Sequence, residues 1–261
     1  MATPWPRAGF VTGGGTAHVA LIALSATRVE DPLPISRLRH GMPDDGIGAQ
    51  SVALVARDRA EDPAWFAERV VAPFADLIAN DLGADAATAA LAAEHAYVIE
   101  AELDDPDDLG HLQATWALAK CLCEEGALVV IDVYAARAHL GSDIAALAPD
   151  RPFDVMHEIT LFFDEQADGS IAAWSLGLVK MGRPDLVVLG LVPDAATATA
   201  LLLRDLAESL ASGERIEPGD TLDTIDGLRL VAERFDPDTA PVVAVEGDAI
   251  RLRPADSIEM I

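Results

Sequence analysis

The sequence predicts an α+β fold: a mixed sheet with one strand–helix–strand crossover, several antiparallel strands and a C-terminal β-hairpin region. Three observations predict it. Residues 96–133 read as a strand, an acid-capped amphipathic helix and a nearly all-apolar strand. Residues 155–191 hold three β-rich runs parted by short turns, a spacing that suits antiparallel neighbours. Asp226-Gly227 then sits between two further strand-like runs, a strong hairpin signal.

The elements follow in order. Residues 18–27 (HVALIALSAT) and 51–57 (SVALVAR) are apolar and β-rich and read as strands. Between them runs a Pro- and Gly-containing loop, 31–48, with Arg37, Arg39 and His40 clustered in it; connections of that length in compact domains tend to be functional or mobile. Asp62-Pro63 opens a helix, because the Asp side chain can accept from free N–H groups and Pro suits the first helical position. Phe66, Val70, Phe74, Leu77 and Ile78 then recur at helical spacing. Pro73 lies inside this stripe and lacks an N–H, so the expectation is one bent helix ending at Gly83. An Ala-rich helix follows over 85–94.

The clearest unit comes next. Residues 96–103 form a strand, and Asp105-Pro106-Asp107-Asp108 places acids over the positive end of a helix. Leu109, Leu112, Trp116, Ala119 and Cys123 share one face of that helix, which stops at Gly126. Residues 127–133 (ALVVIDV) are apolar enough for a central strand, and the connection is long enough for a parallel crossover. Strands at 155–164, 171–180 and 185–191, a helix from Asp194 to Gly213, and hairpins at Asp226-Gly227 and Glu246-Gly247-Asp248 complete the chain. The 261 residues read as a single domain, 1–261; a sub-boundary before the small C-terminal β region falls near 212–219.

Charge is the compositional outlier. There are 44 acidic against 18 basic residues, a formal net charge of -26, and the only lysines are Lys120 and Lys180. Such a chain repels nucleic acid and anionic membrane and suits a basic protein partner. The bland alternative is compositional bias without a functional consequence. Cys121 and Cys123 lie two apart, too close for a good disulfide and too few for a secreted framework or a zinc site. No secretory leader pattern and no run of 18 uncharged apolar residues is present. These features lead us to expect a soluble, cytoplasmic protein.

The segment from Asp104 onward resembles a bacterial family of domains of unknown function. Members carry a strand, an Asp/Pro cap and a helix ending in Glu-Gly-Ala before a Val-rich strand with Asp; here these are Asp105-Pro106-Asp107-Asp108, Glu125-Gly126-Ala127 and Val130-Ile131-Asp132. The family later shows Thr-x-Gly-Leu-x-Lys-Phe-Gly-Arg-Pro-Asp-Leu. This chain has Ser175-Leu176-Gly177-Leu178-Val179-Lys180-Met181-Gly182-Arg183-Pro184-Asp185-Leu186, with Ser for Thr and Met for Phe. The resemblance covers residues 96–191 and implies no activity or cofactor.

Two constellations merit inspection. If strands 96–103 and 127–133 are parallel neighbours, Asp104, His111 and Asp132 gather at their carboxyl ends, where carboxylates and an imidazole could hold a hard divalent ion. The alternative is that the acids near 105–108 cap a helix and Asp132 ends a strand. Lys180 and Arg183 flank Gly182 and could form a cationic spot for a carboxylate or phosphate, or the arginine could tie its turn to a nearby acid. His157 and Glu158, adjacent on a predicted strand, would point to opposite faces. Gly13-Gly14-Gly15-Thr16 lacks the Gly-Lys-Ser/Thr of a phosphate loop, and Ser175 lacks a nucleophile-elbow context. With no complete catalytic or cofactor signature, the expectation is a non-enzymatic, acidic protein-interaction module, immunity-like or accessory. The alternative is a metal-assisted hydrolase using Asp104, His111 and Asp132.

Overall fold

A computed structural model describes residues 3–44, 47–223, 229–239, 245 and 247–255. The fold is α+β, with two separate sheets. Its contacts divide the chain into two compact units, one of Met1–Pro6 with Ala17–Phe153 and the other of Arg7–Thr16 with Asp154–Ile261. The division therefore falls near residue 153, not near 212–219.

The first unit holds β1 (Thr16–Ser25), short helices α1 (Arg37–His40) and α2 (Ile47–Gln50), and β2 (Val52–Asp58). Asp62 accepts from the Trp65 N–H at 3.1 Å and starts α3 (Pro63–Phe66). A π-helical turn, Ala67–Val71, leads without a break into α4 (Ala72–Leu82), capped by Gly83. The wide turn sits immediately before Pro73, which has no N–H to give to an α-helical bond. The expected bend is thus taken up as a π-turn, and Phe66, Val70 and Ile78 are all fully buried. After α5 (Ala84–Leu91) come β3 (His95–Asp104), α6 (Gly110–Glu124), β4 (Ala127–Asp132), β5 (Arg137–Leu140) and α7 (Gly141–Ala145).

The five-stranded sheet runs β2-β3-β1-β4-β5 and is antiparallel. The crossover through α6 is present, but β1 lies between β3 and β4. Ile22, Leu24, Val129 and Ile131 pack against Phe66, Val70, Ile78 and the alanines of α5. On the other face α6 packs on β3 and β4, and α1, α2 and α7 cover α6 in turn. Sandwiched in this way, α6 buries 13 of its 15 residues, so its sequence shows only a modest amphipathic stripe. Its cap also differs from expectation. Asp108 accepts from the Gly110 N–H at 2.8 Å, while Leu109 occupies the cap position without a side-chain bond.

The second unit holds α8 (Val155–Glu158), β6 (Thr160–Glu165), β7 (Ile171–Leu176), β8 (Asp185–Leu191), α9 (Ala196–Ser212), β9 (Thr221–Asp223), β10 (Arg229–Arg234) and β11 (Ala249–Pro254). Its sheet runs β6-β7-β8-β11-β10-β9. The predicted strand 155–164 begins only at Thr160, because Asp154 accepts from the Met156 N–H at 3.0 Å and starts a helical turn. A 3-10 turn, Leu178–Met181, and Gly182 in the left-handed region connect β7 to β8, which are antiparallel as expected. Asp194 lies in a 3-10 turn before α9 and makes no cap bond to it. β9 pairs with β10 as the Asp226-Gly227 signal implies, although the turn itself lies outside the described residues. β11 pairs with β10 and also, in parallel, with β8. The C-terminal strands therefore complete the main sheet of this unit and do not form a separate region.

Candidate functional site

Among the described residues β2 is one of the two edges of the five-stranded sheet, and its residues Ala53, Leu54, Val55, Ala56 and Arg57 are all exposed. Leu54 and Val55 are 37% and 39% accessible, high for two large apolar residues adjacent in a strand. The direction of its free backbone groups follows from the register. Arg59 donates its N–H to the Glu94 carbonyl at 2.9 Å, one step beyond the pair Asp58 and His95. Directly opposed pairs alternate between bonded and non-bonded in an antiparallel ladder. Odd-numbered residues of β2 thus bond to β3, and Val52, Leu54 and Ala56 turn their N–H and C=O groups to the open edge.

Beside this edge lies a row of acids. Side chains two apart in a strand share a face, and Glu100, Glu102 and Asp104 of β3 are all exposed. Glu100 stands opposite Ala53 and Val98 opposite Val55. The same face is packed under α3, α4 and α5 at Ala96, so the acids occupy its uncovered half. His18 approaches the row, 3.8 Å from Glu102. The alternation Glu-x-Glu-x-Asp in Glu100-Ala101-Glu102-Leu103-Asp104 was a visible sequence signal of this face; that β2 would be its outermost neighbour was not.

The residues singled out from sequence fall elsewhere. Asp104, His111 and Asp132 do not assemble a metal site, and no group of three or more His, Cys, Asp or Glu among the described residues could hold an ion. The physical reason is the strand order: β1 separates β3 from β4, holding their ends roughly 10 Å apart at about 4.8 Å per strand. Asp104 is exposed, whereas His111 and Asp132 are fully buried. Asp132 accepts from the Ala135 N–H at 3.1 Å and shapes the turn from β4 to β5.

Lys180 and Arg183 are equally removed from a surface site. Lys180 is 0% exposed and its ammonium donates to Glu158, also 0% exposed, at 3.0 Å. His157 lies beside the same carboxylate at 3.3 Å. Arg183, 3% exposed, donates to the carbonyls of Gly182, Gly213, Glu214 and Val11. Arg7 does the same for Leu210 and Ala211, both at 3.1 Å. Two guanidinium groups therefore satisfy carbonyls at and just beyond the C-terminus of α9, where helix polarity favours positive charge. Arg183 thus ties its turn to backbone oxygens.

Asp185 completes this buried set. Its carboxylate accepts from the Ser175 hydroxyl at 2.8 Å and the Leu178 N–H at 3.2 Å, and the Ser175 oxygen accepts from the Leu186 N–H at 2.9 Å. Burial pushes the carboxyl up to about 7, against the pull of these bonds and of Lys180. The segment Ser175 to Leu186 is therefore a structural lock between β7 and β8.

In the first unit Lys120, 7% exposed, pairs with Glu124 at 2.9 Å; Arg39 and His40 from α1 converge on the same carboxylate. Burial would raise Glu124, but the hydrogen bond and charge of Lys120, with His40 and Arg39, hold it below the ordinary range. The adjacent recess between Trp5, Trp116 and Arg151 is shallow and small. Both thiols are free and buried, and burial pushes Cys121 up to about 11 and Cys123 up to about 12. Cys121 lies off the Trp116 and Cys123 stripe of α6, yet it is only 1% exposed because α1, α2 and α7 cover that helix.

No family model, curated protein or solved structure matches this chain. Among the described residues no helix is long and apolar enough to cross a membrane.

Proposed function

We propose that this chain is a non-enzymatic interaction module that binds a basic protein partner through its acidic surface. The observation that supports it most is the row Glu100, Glu102 and Asp104 on an uncovered half-face of sheet, next to an exposed apolar edge. Packed domains rarely leave such an edge bare without a use for it or a device to protect it. The fate of the cationic and polar motif residues supports the same reading. Lys180, Arg183 and Asp185 are consumed in holding the second unit together, which leaves the acidic exterior as the chemically distinctive feature. A net charge of -26 disfavours nucleic acid as the partner, since phosphate backbones carry the same sign. Membership in the resembled bacterial family of unknown function is part of this proposal and adds no activity to it.

The test is binding of a fluorescent lysine-rich peptide across a salt series. Two charge reversals of equal size are compared, Glu100→Lys/Glu102→Lys on the row and Asp205→Lys/Glu208→Lys on the exposed face of α9. Electrostatically steered binding weakens with salt because exposed charges are screened beyond about 10 Å at 0.1 M. We expect the row reversal to cost at least tenfold in affinity and the α9 reversal much less. Equal losses, or affinity insensitive to salt, would show that the charge is only compositional.

A further inference from the structure

We infer that the partner binds by adding a β-strand to β2, and that the added segment alternates basic and apolar residues. The inference rests on the acidic-surface reading above and specifies how that surface is used. An edge strand with outward N–H and C=O groups is a template for an extended chain. Here the outward groups belong to Val52, Leu54 and Ala56, in a strand whose residues 53–57 are all exposed. Natural edges are commonly protected by lysine, proline or a bulge. β2 has no lysine or proline, and its register with β3 is continuous over seven residues. Its single basic residue, Arg57, is drawn over the Trp65 ring at 5.7 Å.

The side chains then determine which segment fits. A strand added outside β2 lies about 10 Å from β3. Its residues beside Ala53 and Val55 share a face with Glu100 and Glu102. Ala53 stands between the added strand and Glu100, and its methyl group leaves a lysine or arginine free to lie across β2 and meet the carboxylate. The intervening residues of the added strand face the other way, beside Leu54 and Ala56, where apolar groups bury the exposed leucine. Alternation of this kind gives both a charge-steered encounter and a side-chain match at every position. A second copy of this chain fits less well, since two molecules each of charge -26 repel on approach.

The experiment uses the full chain and a synthetic peptide of alternating lysine and valine, read by fluorescence anisotropy. Three changes separate the strand mode from charge alone. Ala56→Pro removes an outward donor of β2 without removing a bond to β3, a placement that edge strands tolerate. A peptide N-methylated at alternate residues removes donors from the ligand and leaves the protein untouched, so a folding defect in the proline variant cannot mimic the result. A peptide of the same composition with its lysines in one block keeps the charge and loses the alternation. We expect all three to weaken binding at least tenfold, and the bound wild-type complex to show added antiparallel or parallel strand signal by isotope-edited infrared spectroscopy. If Glu100→Lys/Glu102→Lys abolishes binding while all three changes leave it intact, the acidic row binds but strand addition is wrong. If the row reversal has no effect either, both readings fall. A dimer in sedimentation that Ala56→Pro dissociates would instead assign the edge to a second copy and overturn the proposal.

Discussion

Asp185 makes a quantitative link between burial and stability. Its carboxyl is 2% exposed and is raised from 3.8 to about 7 by desolvation. In the folded chain it therefore keeps its proton up to about pH 7, whereas the unfolded chain releases it near pH 4. The folded state binds more protons across that window, so stability falls as pH rises through it. Below about pH 4 both states are protonated and the full contribution is present; above about pH 7 both are ionised and it is lost. The distance between the two values corresponds to roughly 4 kcal/mol at 1.36 kcal/mol per pH unit. Self-repulsion among the surface acids pushes in the same direction, so the wild-type curve alone does not isolate the effect.

Asp185→Asn isolates it. The carboxamide oxygen can still accept from Ser175 and Leu178, and the side chain is neutral at every pH. Any cost of the amide nitrogen is independent of pH, and the surface acids are unchanged. We expect the stability difference between variant and wild type, from urea denaturation at pH 4, 5, 6, 7 and 8, to shift by roughly 4 kcal/mol in favour of the variant between the extremes. A difference flat within about 1 kcal/mol would refute the argument and mean that hydrogen bonds and Lys180 hold Asp185 ionised throughout.

The remaining expectations concern packing. Lys180→Met should cost about 3–5 kcal/mol by stranding Glu158 in the interior, and Lys180→Met/Glu158→Gln should recover most of it; a single-variant loss below about 1 kcal/mol in chemical denaturation would contradict the buried pair. Trp116→Ala should cost about 3–5 kcal/mol, since the ring is 3% exposed and packs edge-on to His139 at 5.5 Å. Cys121 and Cys123 should both resist a thiol reagent in the native protein at pH 8, because the thiolate is the reactive form; rapid labelling of either would contradict its burial. Gly213→Ala should destabilise the second unit, because φ is +111° and an added Cβ would lie 2.4 Å from the Phe10 Cα; an unchanged thermal midpoint would count against that contact.

Local signals in the sequence were the ones that could be read. Asp62-Pro63, Gly83, Gly126 and Gly213 mark helix ends through chemistry contained within a few residues. Long-range partners left no such mark. Glu158 and Lys180 are 22 residues apart, and neither position reveals that the other will neutralise it in the core. The insertion of β1 between β3 and β4, which dismantles the imagined Asp104, His111 and Asp132 site, is likewise a property of topology. The turn at α8 was legible in principle: Asp154 followed by Glu158 is a short capped helix, but β-rich residues from Ile159 onward dominated the reading. For α6, burial on all sides erased the contrast between faces that places a cysteine inside or outside.

The placement of positive charge strengthens the argument for a functional exterior. Both lysines of the chain are buried and paired with glutamates, and Arg7 and Arg183 are buried against carbonyls at the end of α9. These four cations lie inside together with the acids Asp132, Glu158 and Asp185, so the exterior keeps nearly the whole net charge of -26. Solubility alone requires nothing of where the acids stand, and a merely compositional excess would scatter them. The row on β3 instead repeats at the strand period beside an edge strand, so its charges would act together on the extended segment proposed above. Coherent charge of this kind accelerates encounter and disfavours acidic competitors. Moving the same two acids from Glu100 and Glu102 to α9 would keep the net charge and dissolve the row, and on this argument it would remove selective binding while leaving solubility unchanged.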